Sequence, residues 1–462
     1  MNAQEKKRVN KIAWCIALSQ VLGGYCLIVY QYYGNYIMTD VAGLTPAIAA
    51  GIYSVTTIIL TCWSLFDGAI VQRTRTKQGQ FRPWYFWGVF ICVAGGFLLY
   101  VHVPGSVVGT TVVVGLGAMI PDGIMDLIYT ARMGIFTKMS MGSTEARTKF
   151  NSFNWFGTYI SYVIAGAATI PLVEYFGKVS GEARGFMVVQ AIFGMCCILG
   201  YMIIFRISKP YDTDNTQVSA QEKEQQANFL VMVKSVFMNK AGRILLINDI
   251  LRFSAYTAIY SLVAYQAEYV IGDLDASSTV FALSNVLGLI SSYASPFVAD
   301  KLGRKTTQRL SDVLVFFSLL SICFLGKTEI GLTVAISLWT FFMGFNDAVD
   351  AVLYMDAGEY YLAKEGKDTR SYLNSMYNVA AKASNGIGAW GCNAALMAVG
   401  FTAGTVLSAA AQTKLTILFG VISAAFYAVP IILMFFYPMT DAEADAYAAQ
   451  NLAAGYSPLD ED

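Results

Sequence analysis

Charge is scarce in this chain and histidine almost absent. Asp, Glu, Lys and Arg make up 13% of the 462 residues, and His102 is the only histidine. A lone imidazole leaves nothing from which to build a His-centred triad or a metal site. No phosphate-cradling glycine loop and no nucleophile elbow occurs either. The chain therefore has no catalytic constellation and is expected not to be an enzyme. Its eight cysteines, at 15, 26, 62, 92, 196, 197, 323 and 392, all lie in apolar runs. Their spacing fits neither a zinc site nor a secreted disulfide framework, so they read as packing residues. Basic and acidic residues cancel at 31 each, which leaves no bulk field to attract nucleic acid. No cleavable leader is expected, because Lys6, Lys7 and Arg8 precede a run too long for a signal h-region.

Long apolar runs are abundant. Hydrophobic residues reach 56% and mean hydropathy is +0.52. Twelve runs are expected to span a bilayer, at 12–38, 46–71, 83–101, 107–136, 150–176, 185–205, 244–271, 279–299, 310–325, 331–355, 372–400 and 415–437. Most exceed the roughly 20 residues a spanning helix needs. Lys and Arg concentrate in the amino terminus and the even-numbered connections or their flanks, with Arg252 and Lys382 inside spans. The positive-inside rule then places both termini in the cytoplasm of a multi-pass plasma-membrane protein.

The polar stretch 209–228 divides the chain into a first six-helix half (1–207), a cytoplasmic connector (208–241), a second six-helix half (242–440) and an acidic cytoplasmic tail (441–462). Within the connector, 229–240 suits a short interfacial helix as well as a simple link. The Ala-rich tail has no packed-core pattern and is expected to be partly disordered. Arg147-x-x-x-Asn151-Ser152-Phe153 recurs in the second half as Arg370-x-x-x-Asn374-Ser375-Met376, and the basic loop 72–84 is echoed by 300–309. Two echoes at similar displacement indicate duplicated, pseudo-symmetric halves, with a central site expected between them.

An uncompensated charge at a helix centre costs about 2.5–3.5 kcal/mol on insertion scales, so intramembrane charges mark partners, water or substrate. Asp122 and Asp126, four residues apart, share a helix face and are expected to hold a proton or a small cation. Lys382, flanked by Asn378 and Asn385, is expected to pair with one of these acids. Asn346, Asp347 and Asp350 mirror the fourth span, and Asp350 is displaced from Asp122 as the second basic loop is from the first. Asp249 and Arg252, three apart near the cytoplasmic end, are explained by a local helix pair. Asp67 with Arg73 and Arg75, and Asp300 with Arg304, offer cytoplasmic clamps of structural or gating character. Tyr25, Tyr32, Tyr33, Trp155, Tyr159 and Tyr162 could stack on a ring or pack the core.

Thr39-Asp40-Val41-x-Gly43-Leu44, Arg73-Thr74-Arg75-Thr76, Phe81-Arg82-Pro83-Trp84 and Asp356-x-Gly358-Glu359-Tyr360 resemble the glycoside-pentoside-hexuronide:cation symporters, the melibiose permease-like branch of the major facilitator superfamily. The resemblance runs over nearly the whole chain. It implies the major facilitator fold, alternating access, a sugar or glycoside and a coupling cation as partners, and no other cofactor. The family's helix-four acid falls on Asp126 and its helix-eleven lysine on Lys382. Its helix-one sugar aspartate falls on Gly24, its helix-two cation aspartates on Leu60 and Ser64, and its helix-five arginine on Trp155. Substrate contact is thus expected at Asp126, Lys382, Trp155 and Asp122, and proton coupling through Asp122 and Asp126 in preference to sodium. A monomer is the fold-level expectation. The alternatives are a carrier of a lipid-like or other amphipathic solute and a non-transporting sugar sensor.

Overall fold

Hydrocarbon offers no water to backbone N–H and C=O groups, so a spanning segment must bond within itself, as a helix does. The computed structural model describes residues 3–64, 66–140, 144–213, 237–366 and 370–454. Among these described residues there are helices and no strand: α1 (Ala3–Gly23), α2 (Tyr25–Tyr36), α3 (Pro46–Ser64), α4 (Asp67–Arg73), α5 (Val89–Gly96), α6 (Val107–Ser140), α7 (Thr144–Ser180), α8 (Glu182–Ile207), α9 (Lys240–Gln266), α10 (Ala276–Leu302), α11 (Arg304–Leu325), α12 (Glu329–Glu365), α13 (Arg370–Ala398), α14 (Ala409–Phe435) and α15 (Asp441–Ala453). Eight segments of the described residues are long and apolar enough to cross a membrane. Helices α9, α10 and α13 have the length, at 27, 27 and 29 residues, but carry more polar side chains. The all-α membrane architecture expected from the apolar runs is what the chain adopts.

Two stretches depart from the sequence expectation. The first run is broken at Gly24, between α1 and α2, and closes in a wide π-type turn over Ile37–Val41. The third run forms a wide turn (Trp84–Gly88), the short α5 and a tight 3-10 turn (Phe97–Tyr100). The tail, read from sequence as lacking a packed-core pattern, forms α15 over Asp441–Ala453, while 455–462 lies outside the described residues. Its ring of Tyr447 meets Tyr360 at 5.6 Å, and Asn451 Nδ2 donates to the Glu359 carbonyl at 3.0 Å. Of the proposed interfacial helix, 229–236 lies outside the described residues.

The chain divides into two compact units. The first comprises Met1–Val218, Tyr260–Asn285 and Leu396–Ser408. In it α1 packs against α7 and α8, and glycines set the separation. A Cβ on Gly157 would lie 2.3 Å from the Ala17 carbonyl oxygen, and one on Gly200 would lie 2.5 Å from that of Ser19. The segments 260–285 and 396–408 join this unit through side chains. Phe281 stacks on Tyr32 at 4.1 Å, Asn285 Nδ2 donates to Tyr32 Oη at 2.8 Å, Thr39 and Tyr265 share a hydroxyl bond of 2.6 Å, and the Tyr269 hydroxyl donates to Asp40. The second unit comprises Ser219–Ile259, Val286–Ala395 and Ala409–Asp462. There α11 packs on α12 and α14, and α15 on α12, over a core that includes Leu245, Val349, Leu353, Tyr354, Met376 and Met434.

Each unit contains one aspartate that organises a basic loop. In the first, Asp212 accepts the backbone N–H groups of Gln80 (3.1 Å), Phe81 (2.7 Å) and Arg82 (3.0 Å), and pairs with Lys138 Nζ at 2.8 Å. Gly79 makes this possible: its φ of +104° suits only glycine, and a Cβ there would lie 2.5 Å from Asp212 Cγ. In the second unit, Asp441 accepts the Arg304 N–H at 2.6 Å, beside Gly303 at φ +83°. Asp441 stands to the second basic loop as Asp212 stands to the first, so the echo read from the loops extends to their anchors.

Replacing Gly157 by Val should force α1 and α7 apart against backbone, at about 3 kcal/mol or more; thermal melting of the detergent-solubilised protein would report it. Burial alone would raise the Asp212 carboxyl, but Lys138 and three amides outweigh it and hold the group below the ordinary carboxylate range. A depressed native pKa stabilises above the unfolded value and is lost as pH falls through the native one. Asp212→Asn should therefore melt well below the wild type at neutral pH, and the gap should close as pH drops below about 4.

Candidate functional site

In α6, Pro121 and Gly123 bracket Asp122, and Asp126 follows one turn later. Asp122 is half-buried and Asp126 is 7% exposed, so this face of α6 presents two carboxylates at graded depth. Around them the chain explains the departures from the family pattern. Leu60, where a cation aspartate is expected by resemblance, is buried and reaches the space over Gly123: its Cδ2 would sit 3.2 Å from a Cβ there. Trp63 Nε1 donates to the Gly123 carbonyl at 2.8 Å. At Gly24 a Cβ would lie 1.9 Å from Ser161 Oγ and 2.8 Å from Ser161 Cβ. The helix-one position is thus filled by the close approach of α7.

Three polar residues of this unit escape the sequence pattern. Arg132, not singled out by the sequence, is half-buried on α6. It donates to Asn154 Oδ1 at 3.3 Å and stacks over Tyr129 at 4.6 Å. Asn154 is 1% exposed, and Gln20 is 3% exposed with its Nε2 unbonded. Their signal is a polar residue at helical spacing inside an apolar run, which is weak without knowing the facing helix. A cavity of about 340 Å³ in the same unit is lined by Tyr36, Glu174, Glu182, Glu268 and Asp273, an acidic grouping that comes from separate parts of the chain.

The aromatic candidates separate into two classes. Tyr25 stacks on Phe193 at 4.7 Å, and Tyr32 and Tyr33 are buried against Phe281, so these three are packing residues. Trp155 is 50% exposed and adjoins Tyr159 at 6.3 Å, which in turn adjoins Tyr162 at 6.3 Å. This aromatic strip lies along α7 and keeps free ring area.

Lys382 belongs to the second unit, half-buried on α13. Three residues on, Asn385 Oδ1 accepts from Thr257 Oγ1 at 3.1 Å; the side chain of Asn378 lies outside the described residues, as does that of Asp347. Asp249 and Arg252, expected as an isolated helix pair, belong to a larger cluster. Arg252 bonds Asp249 (3.2 Å) and Asp350, and its Nε lies 3.9 Å from Asp312. The cause is tertiary: α11 and α12 bring Asp312 and Asp350 against α9.

Of the residues expected to form clamps, Asp67 accepts from Thr130 Oγ1 at 2.9 Å. Arg73 and Arg75 are exposed, and Arg75 Nη1 donates to the Thr74 carbonyl at 3.2 Å. The side chain of Asp300 lies outside the described residues. Arg304 reaches Asp356 (3.2 Å), Asp441 (3.8 Å) and Asp445 (2.8 Å).

A family model described as MFS/sugar transport protein matches residues 15–441. The isoprimeverose transporter of Lactiplantibacillus pentosus is 22% identical over 413 residues, covering 87% of this chain and 84% of its own. The lactose permease of Lactobacillus delbrueckii subsp. bulgaricus is 23% identical over 364 residues, 74% of this chain and 55% of its own. A crystal structure of a D-xylose-proton symporter superposes with a TM-score of 0.67 at 14% identity, covering 93% of this chain and 98% of the other, which shows the fold.

Introducing the missing carboxylate should damage the fold before it builds a site. Gly24→Asp is expected to lower the melting temperature through overpacking of about 1–3 kcal/mol against Ser161. A variant as stable as the wild type would contradict the close approach of α7.

Proposed function

Because the chain belongs to the MFS/sugar transport protein family, we propose that it is a symporter carrying a glycoside, pentoside or hexuronide across the plasma membrane by alternating access, coupled to protons. It is a multi-pass membrane transporter and not an enzyme. The names of its relatives, isoprimeverose transporter and lactose permease, support a sugar as substrate. The charge distribution supports twelve spans with both termini in the cytoplasm, and a monomer is proposed because each chain carries both halves.

The observation that carries the coupling reading is the carboxylate face of α6 beside Leu60. Sodium favours several oxygen ligands, and the helix-two positions here offer a leucine and Ser64, whose hydroxyl donates to the Thr61 carbonyl. A proton needs one carboxylate. In the proposed cycle Asp126 and Lys382 bind the substrate hydroxyls, Trp155 supplies a stacking face, and protonation of Asp122 or Asp126 permits the occupied carrier to turn over. Substrate and proton must each bind one state better than the other for the cycle to advance. The Arg304 ion pairs and the loop anchored by Asp212 serve as cytoplasmic fastenings that exchange during that change.

The test is flux in proteoliposomes with a panel of glycosides, pentosides and hexuronides. Sugar-driven alkalinisation of the medium, independent of sodium, is expected, with Asp126→Asn abolishing it and Lys382→Ala raising the substrate concentration needed. Sodium dependence would overturn the coupling ion, and absence of uptake for every sugar would overturn the substrate class.

A further inference from the structure

The second unit gathers three buried aspartates around one buried guanidinium. Asp249 and Arg252 on α9, Asp312 on α11 and Asp350 on α12 are each 0% exposed. With all ionised, three carboxylates around one guanidinium carry two net negative charges at 0% exposure. Arg252 bonds Asp249 at 3.2 Å and Asp350 directly, and lies 3.9 Å from Asp312. Tyr354 of α12 faces Asp249, Tyr427 of α14 faces Arg252, and Tyr377 of α13 meets the Tyr354 ring edge-on at 6.3 Å. None of these neighbours brings a second positive charge.

Hydrogen bonding in the cluster is also incomplete. Asn346 donates to Asp312 Oδ1 at 2.7 Å while its own Oδ1 accepts nothing, and Asp312 Oδ2 accepts no hydrogen bond. Gln308, 0% exposed, faces Asp350 with neither amide atom in a well-aligned hydrogen bond. A carboxyl that gains a hydrogen becomes a donor and removes one unit of surplus charge. A metal ion fits less well: the guanidinium occupies the centre, and no metal-binding group of His, Cys, Asp or Glu occurs among the described residues.

We propose that the Arg252–Asp249–Asp312–Asp350 cluster binds a second proton of the transport cycle, in addition to the one held by Asp122 or Asp126 on α6. In each cycle one proton from solution adds to a carboxylate oxygen of Asp312 or Asp350, and leaves to the opposite side after the substrate. No covalent bond other than O–H is made or broken. Arg252 is the positioning residue, holding the acids close enough that they cannot all ionise. The coupling part of this inference rests on the symporter reading above; proton occupancy of the cluster does not.

Infrared spectroscopy of the purified protein at neutral pH tests occupancy directly. A protonated-carboxyl C=O band is expected, part of which disappears in Asp312→Asn or Asp350→Asn and is retained in Asp126→Asn. No change in either cluster variant overturns the proposal, and sodium-dependent thermal stabilisation lost in Asp312→Asn overturns it in favour of a cation. In proteoliposomes both cluster variants should lose sugar-driven proton movement and accumulation while keeping counterflow exchange, with Asp312→Glu restoring the proton signal. Proton movement that survives in both variants refutes coupling at the cluster. A wild type that exchanges sugar without moving protons refutes the symport reading instead, and the infrared result still decides occupancy.

Discussion

A charge taken out of water has to meet its counter-charge inside the protein, and the chain's polar architecture follows from that constraint. Arg252 is buried together with three aspartates from three helices. Asp212 is fully buried because Lys138 and three amides surround it. Arg132 finds Asn154 and the face of Tyr129. In each case one segment carries the charge and another supplies what makes its burial tolerable, so the polar groups specify which elements are neighbours within a unit. Apolar surface cannot do this in a membrane, where lipid is as good a partner as leucine.

The loop anchors show the same logic at the membrane's edge. A positive-φ glycine turns the chain so that the amides after it point one way, and an aspartate beyond the half's last helix receives them. That Gly79 with Asp212 and Gly303 with Asp441 recur at nearly the same displacement ties the loop sequence to a structural need. Phe81-Arg82-Pro83-Trp84 is part of this device: Arg82 Nε donates to the Phe205 carbonyl at 3.1 Å, and Trp84 Nε1 to Thr74 Oγ1 at 3.1 Å. In the second unit the anchor is the first residue of α15, which ties the start of that helix to the loop.

Helix content, the apolar runs and the shared face of Asp122 and Asp126 are legible because they depend on local spacing alone. The partnership of Asp312 with Arg252 is not, since it requires knowing that α11 faces α9, and Asp312 by itself resembles any acid near a helix end. The same reason hides the setting of Asp249 and Arg252: an i, i+3 pair accounts for both until the third and fourth charges arrive. Gly24 stands out in the sequence as a departure from the family pattern, but the cause, Ser161 pressing from α7, lies far along the chain. Local pattern thus reports the elements, while what faces what comes from packing.

Burial also bears on which ion such sites can hold. A hydrated sodium ion must shed water and collect several oxygens at once, which demands an open path and preformed ligands. A proton passes between hydroxyl, amide-bound water and carboxyl groups over hydrogen-bond distances, so it can reach a site closed to every other ion. The cluster around Arg252 is closed in this sense, with every charged member 0% exposed, while Asp122 on α6 is half-open. In the proposed cycle the two carboxylate sites divide the work by access: the half-open one on α6 meets substrate hydroxyls as well as a proton, and the closed one a proton alone. In that proposed cycle differential access would make coupling strict, because a sugar could neither displace a proton in the closed site nor be mistaken for it.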